Sequence, residues 1–72
     1  MKHLLSVVVS VYNEEAVLEK FYLSTLKVLN EILWDYELLF INDGSSDNSL
    51  NILNGLADEN PHVKIISIKV FK

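Results

Sequence analysis

Three apolar runs rich in Val, Ile and Leu, at residues 4–11, 36–41 and 63–70, alternate with two segments whose apolar residues recur at helical spacing. No other feature constrains the chain as much. A strand, a helix and a second strand in that order close most readily as a right-handed crossover between parallel neighbours. Residues 4–11, LLSVVVSV, are apolar almost without a break, as in a parallel strand covered on both faces. Asn13 is placed to cap a helix, and Glu14 and Glu15 then fall in its first turn, where carboxylates suit the helix dipole. From residue 16 to about 33, Leu18, Phe21 or Tyr22, Leu26, Leu29, Ile32 and Leu33 mark one helical stripe. Trp34 and Asp35 turn the chain into the second strand, 36–41. A second helix is expected over 49–58, capped by Ser46 or Asp47 and stopped by Asn60-Pro61, because a proline pushes the residue before it out of the helical region. The third run alternates more clearly, so one of its faces is expected to be less covered.

These elements predict an α/β fold: a βαβαβ half-Rossmann unit with a three-stranded parallel sheet, in one domain over residues 1–72. A domain of this size buries a modest core and is marginally stable alone. Three strands leave two open edges, and the first run is too apolar to make a comfortable one. The chain therefore reads as the first half of something larger. A second copy paired through the exposed edge is the other way to cover it.

Composition removes several classes of function. Ten acids stand against six lysines, and there is no arginine, so the basic face of a nucleic-acid binder is missing. Any phosphate would have to be held by lysine, backbone N–H groups, a helix N-terminus or a metal. The absence of cysteine rules out disulfides and thiolate metal sites. No apolar run reaches the about 18 residues of a membrane span, and the start lacks a small-residue cleavage pattern, so neither a transmembrane segment nor a signal peptide is expected. His3 and His62 have no spaced metal-binding partner and read as surface residues. No GxGxxG, GxxxxGK[ST] or GxSxG occurs, and DGSSDNS lacks the spacing and terminal glutamate of a calcium loop.

Ligands of open α/β sheets bind outside the carboxyl ends of the strands. Two polar clusters fall there: Ser10-Val11-Tyr12-Asn13-Glu14-Glu15 and Asn42-Asp43-Gly44-Ser45-Ser46-Asp47. Adjacent parallel strands would bring both to one rim. Each has a plainer reading, the first as a cap with dipole-complementing acids, the second as a turn with a cap. Tyr12 reads equally as a boundary aromatic under a loop or as a ring for stacking on a base. Read together, the acids suit ribose hydroxyls and base N–H groups, while they repel a bare phosphate unless a divalent metal mediates. The pattern points to the sugar-and-base end of a nucleotide.

VVVSVYNEEAVLEKFY and YELLFINDGSSDNSLNIL resemble the N-terminus of the family 2 glycosyltransferases of GT-A fold. The likeness is greatest to the branch with dolichyl-phosphate mannose synthases and undecaprenyl-phosphate glycosyltransferases. Both motifs match in kind, order and spacing over almost the whole chain. The resemblance implies a nucleoside-diphosphate sugar donor, UDP- or GDP-linked, a polyprenyl phosphate acceptor, and Mg2+ or Mn2+ as cofactor. It implies that Ser10, Tyr12 and Glu14 line the base and ribose pocket. Asp43 would hydrogen-bond the base, and Gly44, Ser45 and Ser46 would shape the loop. It also implies a cytoplasmic protein at the inner membrane face, serving the cell envelope.

The chain departs from the family where Ser10 replaces a frequent proline and Asn42 a frequent acid. The family's DxD-type metal motif, catalytic base and acceptor region lie beyond the third strand. None is found here, so no catalytic or metal residue is assigned and the chain alone is expected to be inactive. Two rival readings stand beside this one: a non-catalytic nucleotide-binding or self-associating α/β module, and a remnant that does not fold stably.

Overall fold

The computed structural model describes residues 4–32 and 34–68. Strands β1 (Leu4–Val11), β2 (Asp35–Asp43) and β3 (Val63–Ile68) alternate with helices α1 (Leu18–Leu29) and α2 (Ser49–Glu59). The strands form one parallel sheet in the order β1-β2-β3. This is the expected βαβαβ half-Rossmann arrangement.

The register sorts the side chains into two faces, since paired residues of parallel strands point the same way. Leu38 pairs with Val63, Phe40 with Ile65, and Val11 with Asn42. That face carries the core: Val11, Leu38, Phe40 and Val63 cluster with Leu18 and Tyr22 of α1 and with Leu53 and Leu56 of α2. Both helices therefore lie on one side of the sheet, as two successive right-handed crossovers between neighbours require. Phe40 and Leu38 are fully enclosed, each contributing about 1.5–3 kcal/mol of burial.

The opposite face has no layer over it among the described residues. Leu4 and Val8 of β1 are 60% and 59% exposed, and Ile66 and Ile68 of β3 are 49% and 45% exposed. The expectation that β1 is covered on both faces is thus corrected: its burial alternates, with only Val11 fully buried. The cause is topological. Consecutive neighbours place every helix on the same side, whatever the composition of the strand.

Element ends also shift. α1 starts at Leu18 with Val17 at the cap position and no side-chain cap bond, so Asn13 is not its cap and Glu19 is the acid of its first turn. The intervening residues form a turn closed by Val17 N–H donating to Glu14 C=O at 3.0 Å. α1 ends at Leu29, short of 33, in tight turns from Glu31 to Val28 and Ile32 to Leu29. β2 is longer than 36–41 because Asn42 pairs with Val11 and Asp43 with Ile68. Leu33, His3 and positions 69–70 lie outside the described residues.

Asn48 occupies the cap position of α2 without a cap bond. The upstream Asp47 takes part of that role, its Oδ1 accepting Ser49 N–H at 2.9 Å. Partial desolvation raises the Asp47 pKa, but hydrogen bonds from the Ser49 hydroxyl and N–H, from Glu15 N–H and from its own N–H outweigh it, and the net shift is downward. At the other end Asn60 is extended, φ −132° and ψ 111°, as its Pro61 demands. Its amide donates to the hydroxyls of Tyr22 at 3.0 Å and Tyr36 at 3.3 Å, tying α1 to β2 at the amino rim. His62 is exposed there, with Nδ1 2.9 Å from Tyr36 C=O and its ring stacked on Tyr36.

Phe40→Ala costs about 3–5 kcal/mol, enough to abolish the cooperative thermal transition of so small a domain, whereas Val8→Thr on the bare face leaves it in place; circular dichroism melts separate the two. A carboxylate with a depressed folded pKa stabilises above its unfolded pKa of about 3.9 and loses that contribution as pH falls through the folded value. Asp47→Asn therefore lowers the melting temperature at pH 7, and the gap to the parent chain closes as the pH is taken from about 4 downward.

Candidate functional site

β1 and β2 end side by side, with Val11 against Asn42, so the loop after β1 and the loop after β2 share one rim. The first loop turns on Asn13, whose φ of 50° is left-handed, and the second on Gly44 at φ 67°. Glycine takes that conformation without a Cβ clash, and asparagine is among the few other residues that adopt it readily.

Hydrogen bonds knit the two loops together. Asn13 Oδ1 accepts Ser46 N–H at 2.7 Å and Asp47 N–H at 3.3 Å, and lies 3.4 Å from Ser46 Oγ. In return Asn13 N–H donates to Ser45 Oγ at 3.0 Å, Glu14 N–H to Ser49 Oγ at 3.0 Å, and Glu15 N–H to Asp47 Oδ2 at 3.2 Å. Ser45 Oγ reaches Val11 C=O at 3.5 Å, and Ser45 N–H donates to Asn42 Oδ1 at 3.3 Å. Ser49 is fully buried and Asn42 is 4% exposed. Asn42 thus lies within the sheet and supports the loop from below.

The candidate residues fall into three groups. Gly44, Ser45 and Ser46 belong to the knitted loop, and the Ser45 hydroxyl is engaged within the protein. Ser10 and Glu14 line a cavity of about 190 Å³ beside the β1 edge, together with the apolar Val9, Val17 and Phe21. Tyr12, 60% exposed, and the exposed Asp43 stand at the rim itself. Ser10 and Asp43 share the bare sheet face, because Ser10 pairs with Ile41, two residues before Asp43.

Residue types alone did not identify Asn13, Ser49 and Asn42 as the frame of this rim. Asn13 was expected at a helix cap, and the signal for its actual role is the left-handed preference of asparagine just after a strand. No lysine or arginine lies in either loop. Among the described residues, no three His, Asp or Glu side chains gather closely enough to hold a metal ion. The rim can offer carboxylate acceptors and an aromatic face to a neutral, hydrogen-bond-donating ligand group.

Residues 6–69 match the family described as Glycosyl transferase family 2. The chain is 48% identical over 61 residues to YkcC, an uncharacterized glycosyltransferase of Bacillus subtilis, covering 85% of this chain and 19% of that protein. It is 41% identical over 73 residues to the undecaprenyl-phosphate 4-deoxy-4-formamido-L-arabinose transferase of Shewanella sediminis, covering 94% of this chain and 22% of that one. The Proteus mirabilis protein of the same name is 44% identical over 59 residues, 81% of this chain and 18% of its own. The chain spans about a fifth of the length of these curated relatives. The matched region takes in both helices and both rim loops, and the chain belongs to glycosyl transferase family 2.

Proposed function

We propose that residues 1–72 form the nucleotide-binding part of a GT-A domain, and that the whole enzyme moves a sugar from a nucleoside diphosphate to a polyprenyl phosphate at the cytoplasmic face of the membrane. The observation that carries this reading is the shared rim: two polar loops, joined to each other, at the carboxyl ends of adjacent parallel strands. That is where open α/β sheets bind ligands. Relatives named as undecaprenyl-phosphate sugar transferases support this choice of acceptor. Among the described residues no helix is long and apolar enough to cross a membrane.

In this reading the ring of Tyr12 stacks on the base and the Asp43 carboxylate accepts its N–H. Ser10 and Glu14 face the ribose, and Gly44, Ser45 and Ser46 hold the loop in shape. The described residues do not fit the divalent ion of the family, since their acids do not converge. Mg2+ or Mn2+, and with it the neutralisation of the leaving diphosphate, is assigned to other residues, and so is the catalytic base. The 72-residue chain alone then binds nucleoside without transferring sugar.

A second reading, self-association through β1, is favoured by one observation: an edge strand with Leu4 and Val8 bare beside it. A second copy of the chain, paired through that edge, would satisfy its open backbone N–H and C=O groups. Sedimentation across a hundredfold concentration range decides it; a monomer throughout excludes the dimer.

The nucleoside site is tested by titrating the chain with UDP and with GDP, each with and without Mg2+, while following backbone amide shifts. Shifts centred on Ser10, Tyr12, Glu14 and Asp43 are expected, largely independent of Mg2+. A charge-assisted hydrogen bond is worth about 1.5–3 kcal/mol, so Asp43→Ala weakens binding at least about tenfold. No saturable change at millimolar nucleotide overturns the site. Sugar transfer by the isolated chain overturns its assignment as a partial domain.

A further inference from the structure

Asn13 is the one described non-glycine residue with positive φ, a conformation that strains an ordinary L-residue. What the chain gains is an orientation. With the backbone turned left-handed, the Asn13 carboxamide faces the opposite loop and its oxygen meets two successive backbone donors, Ser46 N–H at 2.7 Å and Asp47 N–H at 3.3 Å. The donors of residues 13, 14 and 15 run the other way, to Ser45, Ser49 and Asp47. Five backbone N–H groups are thereby satisfied across a gap of 32 to 35 residues in sequence, each by a side-chain oxygen.

Tyr12 sits between Val11, the last residue of β1, and Asn13. Asp43 sits between the buried Asn42 and the left-handed Gly44, one residue before Ser45. Each is thus anchored on one side by the strand ladder and on the other by the clasp, and neither side chain takes part in the clasp itself. We propose that Asn13 is a positioning residue: through its side-chain oxygen on Ser46 and Asp47 it fixes the Tyr12 segment relative to Asp43, so that ring and carboxylate engage one nucleoside together. This rests on the nucleotide reading above and adds to it a residue that touches no ligand.

Three substitutions separate the roles of Asn13. Asn13→Gly accepts the positive φ but has no acceptor. Asn13→Asp keeps both the conformational tolerance and the acceptor. Asn13→Ala has neither. Two measurements on the 72-residue chain read them: amide hydrogen exchange without ligand, and affinity for UDP and GDP by amide-shift titration. In Asn13→Gly, exchange is expected to speed up at least tenfold at Ser46 and Asp47 and also at Glu14 and Glu15, with nucleotide affinity down about tenfold. Asn13→Asp brings both readouts back to within about threefold of the parent, and Asn13→Ala falls at or below the glycine variant.

Faster exchange in Asn13→Gly with affinity within twofold of the parent overturns the positioning role while leaving the nucleotide site standing. Unchanged exchange in that variant overturns the clasp, and so does a loss that Asn13→Asp fails to repair. A parent chain that binds neither nucleotide overturns the nucleotide reading, and the positioning role with it. Should the glycine variant not fold, Asn13→Gln, which keeps the amide but displaces its oxygen by one methylene, is read on the same measurements with the same outcomes.

Discussion

Everything at the rim depends on the parallel pairing of β1 with β2. Eight register pairs run from Leu4 against Asp35 to Val11 against Asn42. Because the strands are parallel and in step, both carboxyl ends arrive at the same height. A slip of one residue would reverse which side chains face the helices, exposing Leu38 and Phe40 and burying Leu39 and Glu37. The apolar pattern of β2 thus fixes the register, and the register places the first loop within hydrogen-bonding distance of the second. Packing and site geometry here have one origin.

The same topology accounts for the lopsided core. Successive crossovers to adjacent strands set α1 and α2 on one face, which holds Phe40 and Leu38, and leave the other to Leu4, Val8, Ile66 and Ile68. Ser10 and Asp43 lie toward the carboxyl end of that bare face. The face is not uniformly apolar: Ser6 Oγ donates to Glu37 Oε1 at 2.7 Å, partway along it. A polar pair there interrupts the apolar surface that an edge strand otherwise exposes.

The order and type of all five elements were legible in the sequence, because each apolar run has a length and spacing that suits one kind of element. That the two polar clusters share a rim was also legible, since it follows from parallel neighbours and nothing finer. What could not be read was decided by contacts distant in sequence. Asn13 obeys cap statistics locally, yet its partners are Ser45, Ser46 and Asp47. Asn42 looks like the first residue of a loop, yet the ladder continues through it and buries it. The unbroken apolar character of β1 suggested cover on both faces, but composition does not say which side a crossover takes.

The clasp also has a consequence for how the chain acquires its shape. The N–H groups of residues 13, 14 and 15 find their acceptors at Ser45, Ser49 and Asp47, more than thirty positions downstream. When the first βα unit leaves the ribosome, its loop has no internal partner for those donors and stays hydrated. Contacts of such separation form late, after the strands have closed the intervening chain. Four of the five cross-loop bonds can close once the chain has emerged through Asp47, and the last, from Glu14 N–H to Ser49 Oγ, waits for the start of α2.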